Sequence, residues 1–203
     1  MTKTKDFSTI ENEFLKEVVP DKQRSTRKKT INAKKKGNRG ELDCVNILKE
    51  RFPGKTFSRT MGSGNYTGGK NAYHAETLTE EQKLMFVSDI RTPKEFKFSI
   101  EHKFYAKIEF YDLFNASSDL HSWYEQSLTD AKLLNKSPLL IVKTNQHKRI
   151  VFVMMDDLMK YKRIHMDIKS PVFIHEGRGC YWLEDLLEFG DDFFFVDKEE
   201  KKD

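Results

Sequence analysis

The chain of 203 residues is 37% hydrophobic, 33% charged and 12% aromatic, enough to bury a core and, with 16 Phe, too apolar for wholesale disorder. Its net charge of +4 hides a gradient: residues 1–36 hold 11 Lys/Arg against 5 Asp/Glu, and residues 184–203 hold 3 Lys against 9 Asp/Glu, which points to a nucleic-acid partner rather than a metabolite. Two cysteines, Cys44 and Cys180, exclude a disulfide framework and a zinc cluster, and no run approaches the roughly 18 apolar residues of a membrane span. A cytoplasmic protein without membrane contact is therefore expected, in the host cytoplasm if the source is viral.

Residues 1–36 form a basic N-terminal arm with few apolar positions. Phe14, Leu15, Val18 and Val19 suit a short docking helix. The run 21–36, with eight Lys/Arg including Lys35 and Lys36, is either a solvated linker or an arm that contacts phosphates. The core is expected over 37–155. Helical spacing of Leu42, Val45, Leu48 and Phe52 predicts a helix over 37–52, stopped by Pro53-Gly54. A short strand is predicted over 55–61. The Gly-rich segment 62–83 reads as a long loop; with Lys70, Tyr66 and Tyr73 it would order on DNA or remain plain surface.

Strands are predicted over 84–90 and 96–103, then an amphipathic helix over 119–134 with Leu120, Trp123, Leu128, Ala131 and Leu134 on one stripe. Strands over 138–143 and 150–155 follow. The order helix, strand, strand, strand, helix, strand, strand predicts an α/β fold with a mixed central sheet of about five strands flanked by helices. Residues 156–203 form a C-terminal extension: a helix over 156–163, an extended piece over 172–175, and an acidic, Phe-rich tail with weak signals.

One spacing carries chemistry. Asp89 ends a predicted strand and Glu101-His102-Lys103 lies twelve residues on. Residues two apart on a strand share a face, so Glu101 and Lys103 project together and His102 points the other way. If the two strands are neighbours, Asp89 meets Glu101. Converging carboxylates suit Mg²⁺, with Mn²⁺ as a substitute, and an adjacent lysine can hold or deprotonate a water. Glu41, early in the first helix, is a third carboxylate that could be aimed at the same place.

These elements resemble the PD-(D/E)xK nuclease superfamily with its restriction-endonuclease-like fold. Within it, the chain is similar to archaeal-type Holliday-junction resolvases and their phage relatives. The likeness rests on Lys36-Gly37-Asn38-Arg39-Gly40-Glu41, on Ser58-Arg59-Thr60-Met61-Gly62-Ser63-Gly64, on Asp89 and Glu101-His102-Lys103, and on the helix and strand that come next in the chain. Asp89 follows Ser88 where the superfamily pattern has Pro.

The resemblance implies a metal-dependent endodeoxyribonuclease leaving 5′-phosphate ends. It implies that Asp89, Glu101 and the His102 carbonyl ligate the metal with support from Glu41, and that Lys103 orients or activates the attacking water. Arg59 and Ser63 would contact phosphate, and Lys35, Lys36, Arg39 and Lys70 would bind DNA. Gln126 and Lys143 would support the site. A symmetric homodimer acting on branched, four-way-junction DNA in recombination or DNA processing is the leading expectation. Another structure- or sequence-specific nuclease of the superfamily, a non-catalytic DNA-binding protein on the same fold, and an interaction module built on Phe193, Phe194 and Phe195 are the alternatives.

Overall fold

The computed structural model describes residues 32–60, 78–115 and 117–196. The expectations for a helix at 14–19, for the basic run up to residue 31, and for Ser63 and Lys70 in the Gly-rich segment fall outside them. The chain divides into two units, Met1–Asn32 and Ala33–Asp203, and the sheet with its helices belongs to the second.

Helix α1 (Ala33–Arg51) begins four residues before the predicted start. Its stripe is Cys44, Val45, Leu48 and, just past its end, Phe52, all buried; Leu42 is 52% exposed and is not a core residue. Strand β1 (Ser58–Arg59) is two residues long, shorter than predicted. The strand predicted over 84–90 is instead helix α2 (Glu80–Phe86). Thr79 and Gln82 close a reciprocal capping box that starts this helix, and that local preference overrides the apolar run Leu84–Val87. Only β2 (Ile90–Arg91) remains extended.

Strand β3 (Phe98–Tyr105) is the centre of the fold. After a 3-10 turn at Phe110–Leu113 comes α3 (Asp119–Leu133), then β4 (Ser137–Thr144) and β5 (Arg149–Met154). Helix α4 (Met155–Lys162), strands β6 (Phe173–His175) and β7 (Arg178–Trp182), and short helices α5 (Leu183–Leu186) and α6 (Asp191–Phe194) complete the described chain.

The strands form one mixed seven-stranded sheet in the order β1-β2-β3-β4-β5-β7-β6. β3 and β4 run parallel, joined by the α3 crossover, and the other neighbours are antiparallel. The sheet exceeds the expected five strands because β6 and β7, from the C-terminal region, pair onto β5.

Strand alternation sorts the core into two layers. Phe98, Ile100, Leu139, Ile141, Val151, Val153 and Tyr181 face α1 and the C-terminal helices. Leu140, Val142, Phe152 and Cys180 face Leu120, Trp123 and Tyr124 of α3. The first layer is closed by Phe193, Phe194 and Phe195, which are buried against Phe52, Phe96 and Phe98 with ring centroids 5.0–6.2 Å apart. These three rings are therefore core, not an exposed interaction surface: each alone buries too much apolar area to stay in water once α1 and β3 offer a matching face. Cys44 and Cys180 are free and buried, and burial pushes both thiols up to about 12, so neither is a nucleophile at neutral pH.

No described helix is long and apolar enough to cross a membrane.

Candidate active site

The site forms where β2 meets β3, with α1 approaching on one face and α3 on the other. Asp89 sits one residue before β2. Its N–H donates to the Ile100 carbonyl at 3.2 Å, and its own carbonyl accepts from the Thr60 N–H at 2.9 Å. Its carboxylate Oδ2 accepts from the His102 N–H at 3.0 Å. The ladder itself thus fixes Asp89 beside the Glu101-His102-Lys103 stretch.

The alternation along β3 is the one predicted. Glu101 and Lys103 point to α3, where Lys103 Nζ donates to Glu101 Oε1 at 2.5 Å and to Gln126 Oε1 at 2.9 Å. Gln126 therefore joins the site. His102 points to α1. Its imidazole is buried with no hydrogen-bond partner for either ring nitrogen, and burial lowers its pKa to about 4. Gly40 makes room for it: a Cβ at residue 40 would stand 2.7 Å from His102 Cε1 and 2.9 Å from Phe104 Cδ1.

Glu101 is 1% exposed, and its Oε2 has no hydrogen-bond partner. Burial first, then the Asp89 charge, hold its pKa well above the usual carboxylate range, against the pull of Lys103. Lys103 is raised too: burial would lower it, but Glu101 and Asp89 outweigh that. Glu41 is also raised, by burial and by Asp89, while Arg59 and Lys103 lower it. The mutual effects of Glu41, Asp89, Glu101 and Lys103 place the four charges in one field.

Arg59, the expected phosphate contact, is engaged within the site. Its guanidinium pairs with Glu41 Oε2 and donates to Asn38 Oδ1 at 3.0 Å, so it orients a site carboxylate. Lys35 and Arg39 are exposed on the first turns of α1, and Lys36 stacks its ammonium 4.2 Å from the Phe104 ring centroid. Lys143 does not join the site. It follows Val142 on β4, so alternation turns it to the opposite face from Lys103, and its ammonium is taken by the His147 carbonyl at the β4–β5 turn.

Asp130 is a site residue that the sequence reading missed. It lies one helical turn after Gln126, is 9% exposed, and interacts with the charges of Asp89, Glu101 and Lys103. Burial first, then the Asp89 charge, pushes its pKa up to about 6. Two signals were available: the i, i+4 spacing from Gln126, and a carboxylate within the buried stripe of an amphipathic helix. Ser88 itself is buried and adopts φ 65, a left-handed conformation that costs a non-glycine residue of order 1–3 kcal/mol. Proline could not replace it, having φ fixed near −65°.

Among the described residues, no three His, Cys, Asp or Glu side chains already form a metal-binding cluster. Arg59 holds Glu41, Lys103 holds Glu101, and the His102 N–H holds Asp89. The donor set nonetheless suits a hard divalent cation. All the side-chain oxygens are carboxylate, Asp89 raises the pKa of both Glu41 and Glu101, and Glu101 Oε2 is a buried acceptor with nothing to accept.

A mixed sheet flanked by helices, with Asp89 just before β2 and Glu101 and Lys103 on β3, is compatible with the restriction-endonuclease-like fold. A family model agrees: the chain belongs to the family described as phage putative PDDEXK endonuclease, which it matches over residues 32–176. The match spans α1, the Asp89 and Glu101–Lys103 stretches, α3 and strands through β6. No curated protein and no solved structure matched. Nucleases of this kind act on DNA and generally use divalent metals.

Proposed function

We propose that the protein is a Mg²⁺-dependent endonuclease that hydrolyses DNA phosphodiester bonds, with Mn²⁺ as a working substitute, and that its substrate is branched, four-way-junction DNA cut by a homodimer. The observation that carries the catalytic part is the Lys103 ammonium held between Glu101 Oε1 and Gln126 Oε1, on the strand that also fixes Asp89.

Asp89 and Glu101 would hold the metal, with Glu41 and the His102 carbonyl in support. The bound ion would supply positive charge for the phosphate oxygens and a more acidic water. Lys103 carries three donors, of which Glu101 and Gln126 take two, and the third can orient a water for in-line attack on phosphorus. Arg59 holds the Glu41 carboxylate in place. Lys35 and Arg39 on α1 provide positive charge for the flanking phosphates. Cleavage with this arrangement would leave a 5′-phosphate.

The junction preference is supported by the KGNRGE and RTMGSG stretches, which resemble those of junction resolvases. Two equivalent cuts across a symmetric junction call for two related sites, hence the dimer. The test is a cleavage panel of four-way junction, flap, nicked duplex, linear duplex and single strand with Mg²⁺. Paired symmetric nicks in the junction alone are expected. Cutting of linear duplex at defined sites would replace the junction reading with a sequence-specific one, and no cutting of any substrate would leave a DNA-binding protein.

A further inference from the structure

Strand β3 carries a third side chain on the face of the proposed site. Glu101, Lys103 and Tyr105 stand two residues apart and so project together toward α3, while His102 and Phe104 turn to α1. Exposure rises along that line: Glu101 is buried, Lys103 is partly covered, and Tyr105 is 39% exposed at the end of the strand. The face therefore opens to solvent at Tyr105, about 6.6 Å along the strand from Lys103. That step is comparable with one nucleotide of an extended DNA strand.

The Tyr105 ring is held in place. It packs on Trp123 with centroids 4.4 Å apart and planes at 51°. Trp123 is itself buried, in the layer that contains Leu120, Tyr124 and Val142. It lies three residues before Gln126 on α3, so the helix that accepts from Lys103 also backs Tyr105. One side of the tyrosine is thus fixed on a core ring, and the rest is left in water at the edge of an acidic, lysine-bearing site.

We infer that Tyr105 is a specificity-determining residue, whose ring is a stacking platform for a nucleobase next to the phosphate that is cut. Aromatic rings take bases of any sequence, since every base has a π-face. A ring already fixed on Trp123 loses little freedom in doing so. In a continuous duplex both faces of each base are covered by its neighbours, whereas at a branch, flap or fork a base face is left uncovered. The platform therefore favours DNA with such a discontinuity and reads no sequence. The inference deepens the proposed function and rests on it, because Tyr105 bears on substrate choice only if Lys103 and its carboxylates receive a DNA phosphate.

The test reads binding apart from cleavage. Fluorescence anisotropy, with Ca²⁺ in place of Mg²⁺, follows the full chain on three labelled DNAs. These are a forked duplex, the same fork with an abasic residue at the first unpaired position of each arm, and a linear duplex of equal length. The variants are Tyr105→Phe, Tyr105→Trp and Tyr105→Leu, each checked for a cooperative melt. Leucine covers Trp123 but cannot stack a base, so it would replace without loss a tyrosine that only shields the core. Tyr105→Leu should weaken binding to the fork roughly 5–150-fold, and binding to the linear duplex far less. Tyr105→Phe and Tyr105→Trp should bind the fork like the parent. On the abasic fork the parent and Tyr105→Leu should differ little, because the stacked partner is gone.

Parent-like fork binding by Tyr105→Leu, or an equal loss on fork and linear duplex, overturns the platform. Tyr105→Phe as damaging as Tyr105→Leu also overturns it, making the hydroxyl the functional group. Should Tyr105→Leu not fold, equal binding of the intact and abasic forks by the parent overturns the inference, and a preference for the intact fork that Tyr105→Trp keeps supports it. Ring-dependent fork binding with no cutting of any substrate in Mg²⁺ would retain the platform and sink the nuclease reading; cutting without ring-dependent binding would do the reverse.

Discussion

Glu101→Gln should give a protein that is dead as a nuclease and more stable than its parent. The buried Glu101 carboxylate is opposed by desolvation, by Asp89 and by Asp130, and these outweigh its pairing with Lys103, since its pKa is raised on balance. A carboxyl whose folded pKa exceeds its unfolded value stabilises the fold only at low pH, and that contribution is lost as pH rises through the folded value. At neutral pH the charge works against folding. Gln keeps the shape, keeps Oε1 as an acceptor for Lys103, and removes the charge. Relieving that opposition at a functional site, net of the lost pairing with Lys103, is worth about 1–2 kcal/mol. For a chain of this size that corresponds to a rise in melting temperature of roughly 2–8 °C.

The assay is thermal melting of both proteins in EDTA across a pH series, with Mn²⁺ added in a parallel set. The two curves should nearly coincide in acid, where both side chains are neutral, and separate toward neutral pH with the variant above. Mn²⁺ should raise the melting point of the parent more than that of the variant, because the variant lacks one ligand. A variant that melts below its parent in EDTA at neutral pH would refute the reasoning: the Lys103–Glu101 pair would then be the dominant interaction.

Two other changes probe the frame around the site. Phe194→Ala removes a ring packed 5.0 Å from Phe52 and 5.0 Å from Phe193 and should cost about 3–5 kcal/mol in urea unfolding, and a near-neutral result would remove the C-terminal rings from the core. Arg59→Met frees Glu41 from its guanidinium, so the Glu41 pKa climbs further and the acid limb of the pH–rate profile moves to higher pH, with cleavage reduced roughly 10–100-fold; an unmoved limb would show that Arg59 does not act through Glu41.

Much of this site was legible because β3 obeys the simplest rule in protein structure. Alternation placed Glu101 and Lys103 on one face and His102 on the other, and helical spacing located α1 and α3. What escaped was decided by partners distant in sequence. Leu84 to Val87 looks like a strand by composition, and the Thr79–Gln82 cap that makes it the end of a helix was hidden inside a presumed loop. Lys143 ends a strand pointing at the right edge, but its face depends on the β3–β4 register, which no local pattern encodes. Phe193, Phe194 and Phe195 read as a tail among acidic residues because their partners, Phe52, Phe96 and Phe98, lie far earlier in the chain. The pairing of Arg59 with Glu41 was invisible for the same reason, since both were assigned to phosphate or metal on their chemistry alone.

The way Asp89 is held has a consequence for how such sites diverge. Its contacts to Ile100 and His102 are made to main-chain groups of β3, and residues 92–95, in the return ahead of the core ring Phe96, supply none of them. Those contacts are indifferent to how many residues make the return, provided that Ile90 still meets Ile100. Insertions and deletions there would change the count between the aspartate and the glutamate without moving either side chain. A one-residue slip on β3 itself would send Glu101 and Lys103 into the α1 layer and His102 into the site. For tracing related chains, the invariant to look for is therefore the pairing of the two strands, and the number of residues separating the two acids is free to drift.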